Sequence, residues 1–193
     1  LLVAFCILVR VGALVALPGI FDFVATGAIH GSATFDIYAR NLLDTGVYGV
    51  TPGVQDAVLP PLYSSVLALV YAIFGRGYWQ VGLFHTLLDT LSLLMLFAIG
   101  RRLFGERSTG EWVGWLAGLF FAAYPYLIFQ NLTLIDTPLF IAQLHAFVLL
   151  MLLLRERARR DRTAVTLALL AGLVLGLTTL TRAPIGEILA SPE

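Results

Sequence analysis

Apolar residues in this chain run in long blocks, with none of the short alternation that marks strands. Five blocks are long enough, or nearly so, to cross a bilayer as helices: Leu1–Ile20, Tyr78–Gly100, Trp112–Gln130, Leu132–Leu154 and Ala164–Thr181. A hydrocarbon core about 30 Å thick needs about 20 such residues. A sixth block, Leu62–Phe74, has only 13 residues. Pro60 and Pro61 open it and Gly75 closes it, the usual start and stop signals of a helix. Its length suits a re-entrant or interfacial helix better than a span. The pattern predicts an all-α fold, a polytopic transmembrane bundle of about five spans.

The least hydrophobic stretch is Phe21–Leu59, which carries Asp22, Asp36, Asp44 and Asp56 against Arg40. Within it, Thr34–Asp44 places Phe35, Tyr38, Leu42 and Leu43 among polar residues, the pattern of a short interfacial helix. The turn-rich run Tyr48-Gly-Val-Thr-Pro-Gly follows it. Together with the short sixth block, this forms a first loop of about residues 21–77.

Composition agrees with a membrane chain. Of 193 residues, 59% are hydrophobic and 12% charged, where a soluble domain carries about 25% charged. Net charge is zero, so no basic field points to nucleic acid. All twelve basic residues are arginines, and eight fall in two loops, at Arg101, Arg102 and Arg107 and at Arg155, Arg157, Arg159, Arg160 and Arg162. The positive-inside rule places both loops in the cytoplasm, and the two spans between them make that consistent. The Asn131–Thr137 turn and Arg182 then lie outside. The acidic loop lies outside too if residues 62–74 do not cross, and inside if they do; their length favours outside. Tyr124, Tyr126 and Trp79 fit an aromatic belt at the outer boundary. The expected location is a cell membrane, of the bacterial inner-membrane kind.

The single cysteine, Cys6, excludes an intramolecular disulfide and any cysteine-built metal site. Leu1–Ile20 lacks the charged leader of a signal peptide and contains Arg10. The chain opens inside one apolar block and closes after a loop-like Ala-Ser-Pro-Glu, so residues 1–193 read as the N-terminal part of a longer domain.

Ionisable groups inside spans are costly and are expected to face the bundle interior. Arg10 lies midway along the first block, where its long stem allows it to snorkel. His85 and Asp89 are four apart on one helical face, within reach of each other, and read first as a structural hydrogen-bonding pair. Gln143 and His145 fall in the fourth block, His145 as a satisfied core histidine. Gly114-x-x-x-Gly118 and Gly172-x-x-x-Gly176 are small-residue pairs that allow helices to approach closely. No phosphate-binding glycine loop, hydrolase triad pattern or His-Glu-x-x-His occurs.

Five passages resemble the polytopic glycosyltransferases of the C-type fold, in particular the branch of the lipid A aminoarabinose transferases and protein O-mannosyltransferases. Ala39-Arg-Asn-Leu-Leu followed by Thr45-Gly-Val-Tyr48 is similar to the helix and exit of that family's first external loop. Pro60-Pro-Leu-Tyr63 through Gly75 is similar to its juxtamembrane helix, and Gly100-Arg-Arg-Leu-Phe-Gly105 to its cytoplasmic helix end. Leu134-Ile-Asp-Thr-Pro-Leu-Phe140 resembles the external turn with a functional Asp, and Leu180-Thr-Arg182 a later external turn. The resemblance implies transfer of a sugar from a polyprenyl-phosphate donor to a lipid, glycan or protein acceptor outside the membrane. It implies catalytic carboxylates at Asp136 and Asp36, and substrate contacts at Arg40, Tyr63 and Arg182. A carboxylate would take the acceptor's proton, and arginine would hold the phosphate. Asp136 is equally placed to cap the helix that follows it, and Asp36 to form a surface ion pair with Arg40.

The chain departs from the family pattern in its first loop. Gly31 stands where members usually carry Asp, and Leu59 where some carry a basic residue. Either Asp36 or Asp22 serves in its place, or the base is missing. Asp36 and Asp136 could also hold a divalent cation, though nothing fixes a ligand set. A transporter or flippase using Arg10, His85 and Asp89, and a non-catalytic scaffold, are the competing readings.

Overall fold

The computed structural model describes residues 1–17, 32–56, 58–105, 108–157 and 162–182. Asp22, Gly31, Arg107, Arg159 and Arg160 lie outside these residues, as do the side chains of Arg157 and Arg162. Eight helices follow in order among the described residues: α1 Leu2–Ala16, α2 Ser32–Thr45, α3 Pro61–Phe74, α4 Tyr78–Phe104, α5 Ser108–Ala123, α6 Pro125–Asn131, α7 Thr137–Arg157 and α8 Arg162–Thr181. No strand occurs among those residues.

The chain is a polytopic helical bundle. Helices α4, α7 and α8 are each long and apolar enough to cross a membrane. At 1.5 Å per residue the 27 residues of α4 reach about 40 Å, more than a bilayer core needs. Helix α3, with 14 residues, reaches about 21 Å and falls short, in line with its reading as a juxtamembrane helix. Helix α1 has 15 residues, and residues 18–20 of the block expected as the first span lie outside the described residues.

The block Trp112–Gln130 is not one straight span. It breaks at Tyr124 into α5 and α6, which are bent by 58° and together make a fourth candidate span. Pro125 is the cause. Its nitrogen carries no hydrogen, and its ring would collide with the carbonyl of Phe121 in a continuous helix. Tyr124 accordingly turns extended, with φ −69° and ψ 115°.

Helix α4 is the centre of the bundle, packing against α1, α3, α5 and α7, while α2 lies on α3 and α8 on α7. Backbones touch where α4 crosses α5. A Cβ on Gly100 would sit 2.8 Å from the Cα of Gly114, and one on Gly118 would sit 2.6 Å from the Leu2 side chain. The first small-residue pair therefore packs helices as expected. The second does not: Gly172 and Gly176 meet nothing within 4 Å among the described residues, because α8 turns that face away from α7.

At one end of the bundle Arg102 Nη1 donates to Glu156 Oε2 at 2.6 Å. This joins the ends of α4 and α7, so the two basic loops share a face, as the arginine distribution requires. At the other end Phe35 and Ala39 of α2, Tyr63, Leu67 and Tyr71 of α3, and Leu134 and Leu139 form one buried cluster. The first loop and the Asn131–Thr137 turn thus also share a face, opposite the basic loops.

Candidate functional site

Helix α2 is locked to its exit loop by side chains of the Ala39-Arg-Asn motif. Asn41 Nδ2 donates to the carbonyls of Gly49 at 2.8 Å and Val50 at 2.7 Å. Tyr38 donates its hydroxyl to Asp56, which also receives the Val50 N–H at 2.8 Å. That hydrogen bond and the Val50 amide hold the Asp56 carboxyl below the usual carboxylate range. Only glycine fits at position 49, where a Cβ would lie 1.9 Å from the Val54 carbonyl oxygen.

Asp36 projects from this helix into a fully enclosed position. Four donors converge on it. Tyr71 Oη at 2.9 Å and Arg76 Nε at 2.8 Å reach Oδ1. Arg40 Nε and Arg76 Nη2, both at 2.9 Å, reach Oδ2. Burial and the Asp36 charge push the Tyr71 hydroxyl far above its ordinary pKa, and the hydrogen bond to Asp36 raises that of Arg76. The two guanidiniums remain accessible, the side chains being 45% exposed for Arg40 and 41% for Arg76. Arg76 comes from the Gly75-Arg76-Gly77 turn between α3 and α4, where Gly75 takes φ +83°. Sequence reasoning missed Arg76. Its signal was an arginine between two helix-stopping glycines, one turn before a span.

Asp136 lies in the turn that leads into α7 and is nearly buried. Arg182, at the end of α8, donates Nε to its Oδ2 at 3.2 Å and Nη2 to its Oδ1 at 3.1 Å, a two-pronged pair. Burial raises the Asp136 pKa above the ordinary carboxylate value, and Arg182 draws it part of the way back. The Arg182 side chain is half exposed and lies over the Phe140 ring. Arg182 is the one side chain that donates to this carboxylate among the described residues, and the Asp136 backbone amide adds a weaker contact.

Tyr63 connects the turn to the bundle. It is fully buried, with its ring edge-on to Phe35 at 4.9 Å and its hydroxyl 2.9 Å from His85 Nε2. His85 Nδ1 faces the Asn131 carbonyl at 3.1 Å. A carbonyl only accepts, so Nδ1 carries the proton, and a neutral His85 accepts the Tyr63 hydroxyl at Nε2. Burial keeps that hydroxyl protonated, and the nearby Asp136 charge adds to the effect. Tyr63, expected as a substrate contact, thus lies enclosed beneath the face.

His85 and Asp89, expected within reach of each other, bond to different groups. Asp89 Oδ2 pairs with Arg10 Nε at 3.0 Å. Arg10 does not snorkel; it is fully enclosed. Its remaining nitrogens donate to the carbonyls of Ala122 and Phe121, the latter at 3.2 Å. The Pro125 break releases the Phe121 carbonyl, because proline has no N–H to give it. The buried cation thus meets a carboxylate and carbonyls freed by the kink. Among the described residues His145, expected as a satisfied histidine, has no hydrogen-bond partner at Nδ1, while Gln143 accepts from Thr181 at 2.7 Å. Among the described residues no group of three or more His, Cys, Asp or Glu side chains gathers as a metal site.

A family model described as dolichyl-phosphate-mannose-protein mannosyltransferase matches residues 58–191. The chain belongs to the dolichyl-phosphate-mannose-protein mannosyltransferase family. No curated protein and no solved structure matches it. Mannosyltransferases of this family take their sugar from a polyprenyl-phosphate carrier, and the chain is a multi-pass membrane glycosyltransferase of that class. Membership favours the transferase reading over a transporter. The matched range contains Tyr63, Arg76, Asp136 and Arg182, while Arg10, Asp36 and Arg40 precede it.

Proposed function

We propose that the face shared by α2, α3 and the Asp136 turn is the catalytic face, that it lies outside the membrane, and that Asp136 is the general base. The observation behind this reading is the contrast in saturation. The Asp136 pKa is raised by burial and one side chain, Arg182, donates to its carboxylate, whereas three side chains bring four donors to Asp36. A base acting near neutral pH gains from a raised pKa.

In the reaction, an acceptor hydroxyl oxygen bonds to the anomeric carbon of the donor sugar. The bond from that carbon to the phosphate oxygen breaks, and its electron pair stays on the polyprenyl phosphate. The hydroxyl proton passes to Asp136. Arg182 holds Asp136 in place and, being half exposed, reaches the substrate as well. Arg40 meets the phosphate, and Asp36 holds Arg40 in position. The donor sugar is mannose and the acceptor a hydroxyl of a protein, glycan or lipid.

Two measurements test this. Membranes carrying the full chain are given radiolabelled polyprenyl-phosphate mannose, and Asp136→Asn should abolish transfer with the protein present at normal levels. Sidedness is read with Cys6→Ser and a single cysteine at Gln55. Labelling of intact cells by an impermeant thiol reagent supports the reading; labelling only after permeabilisation overturns it.

A further inference from the structure

We propose that the donor's polyprenyl chain docks in the groove between α3 and α4, with its phosphate on Arg76 and Arg40; this rests on the transferase reading above. The groove is an open cavity of about 430 Å³. Val70 and Phe74 of α3 form one wall, and Trp79, Leu83 and Leu87 of α4 form the other. Gln80 is its polar member, and its amide is spent on the Phe74 carbonyl at 3.2 Å. What remains facing the bilayer is apolar: Phe74, Leu83 and Leu87 are 67%, 49% and 56% exposed.

Position selects the occupant. From Trp79 to Leu87 the groove follows α4 for about 12 Å, less than half of a bilayer core. It therefore holds the carrier units nearest the phosphate and leaves the remainder among lipids. Arg76 lies between Phe74 and Trp79 in sequence, at the boundary end of that path. Among the described residues Arg40 and Arg76 share the one carboxylate of Asp36, and Arg76 belongs to the turn that joins the two walls of the groove. A lipid phosphate with a single chain matches one apolar groove of about 430 Å³, and two-chain phospholipid is the competitor that the test must exclude.

The arginine pair also suits the direction of reaction. The donor phosphate is a diester with one negative charge. Once the sugar leaves, the phosphate becomes a monoester with a charge of about −1.5 to −2 near neutral pH. Arginines fixed by a buried carboxylate stabilise that developing charge without having to reorganise. Asp36 acts here as a positioning residue: it aims Arg76 and Arg40 and touches no substrate.

The test uses the full chain in lipid nanodiscs and a photoreactive polyprenyl phosphate with its reactive group near the phosphate. Crosslinks are expected in α3 and the first turns of α4, displaced by unlabelled polyprenyl phosphate but not by phosphatidylglycerol. Arg76→Gln should weaken displacement about tenfold, and Arg76→Lys less. Leu83→Trp, which fills the groove and leaves the ion pairs alone, should weaken it similarly, while Leu169→Trp on the exposed face of α8 should not. Crosslinks elsewhere, equal displacement by phosphatidylglycerol, or native affinity in both Arg76→Gln and Leu83→Trp would overturn the proposal. The two readings fail separately. Sugar transfer at native rates in Arg76→Gln and Leu83→Trp removes the docking site and leaves the transferase; crosslinking as expected with no sugar transfer from any donor removes the transferase and leaves a lipid-phosphate site.

Discussion

Asp36 and Asp136 look alike in outline. Both are buried, both pair with arginine, and both belong to one face of the bundle. They differ in how fully they are used. A carboxylate offers about four lone-pair positions. At Asp36 two guanidiniums and a tyrosine hydroxyl supply four side-chain donors, whereas at Asp136 one guanidinium supplies two and the residue's own backbone amide adds a contact. On the proposed reading, the count of side-chain donors, more than burial or an arginine partner, marks Asp36 as the carboxylate that organises its neighbours and Asp136 as the one that accepts the proton.

Exchange of each carboxylate for its amide gives the largest expected effect. Asp136→Asn should lower turnover by about 10²–10⁴-fold, the usual contribution of a positioned base, with little change in donor affinity. Asp36→Asn should show the opposite split, a weaker hold on the donor with a smaller loss of turnover. Steady-state kinetics in membranes separates the two. The reverse pattern would exchange the roles assigned to the two residues.

A third Asp–Arg pair, Arg10–Asp89, extends the comparison into the membrane. Neither side chain is accessible, so the expected role is architectural. Arg10→Ala leaves a buried, unpaired carboxylate and should cost about 3–5 kcal/mol, seen as early thermal aggregation in detergent. Arg10→Met combined with Asp89→Leu removes both charges and should recover much of that loss. A folded double variant without turnover would place this pair in the chemistry after all.

The helices were largely legible in the sequence. Pro60, Pro61 and Gly75 delimit α3, and the apolar blocks mark α4, α7 and α8. Length and hydropathy do not reveal a kink, so Pro125 passed unremarked inside an apolar run. Pairings were less legible. Helical periodicity puts Asp89 beside His85, but its partner Arg10 is 79 residues away and reaches it only through helix packing. Likewise Arg76 comes to Asp36 across 40 residues, through a turn with no periodicity to announce it. Asp136 was found through its motif, whereas its partner Arg182 is supplied by the packing of α8 on α7.

The pH dependence sharpens the case for Asp136. A base must be ionised to act, so kcat/KM should fall as the pH drops through its pKa. Burial raises that pKa, which sets the acid limb above the ordinary aspartate value of about 3.9. Arg182 opposes the rise, so Arg182→Gln should move the limb to still higher pH, and Arg182→Lys should move it less. An acid limb that stays in place in Arg182→Gln would separate Asp136 from the rate-limiting proton transfer.

The smallest expected effect concerns Arg40, and it distinguishes support from contact. Arg40 and Asp36 are four residues apart on α2, and the arginine side chain is 45% exposed. Asp36 is enclosed, but solvent screens the half-exposed guanidinium, so the pair contributes on the order of 1 kcal/mol or less. In Arg40→Gln, Asp36 keeps Arg76 and Tyr71, so thermal stability should hardly change. Donor affinity is a separate matter. If the exposed part of the guanidinium meets the lipid phosphate, affinity should fall several-fold, and more so at low ionic strength, where partly exposed charges are least screened. An equal, small loss in both quantities would reduce Arg40 to a surface ion pair and leave Arg76 as the phosphate contact at this mouth.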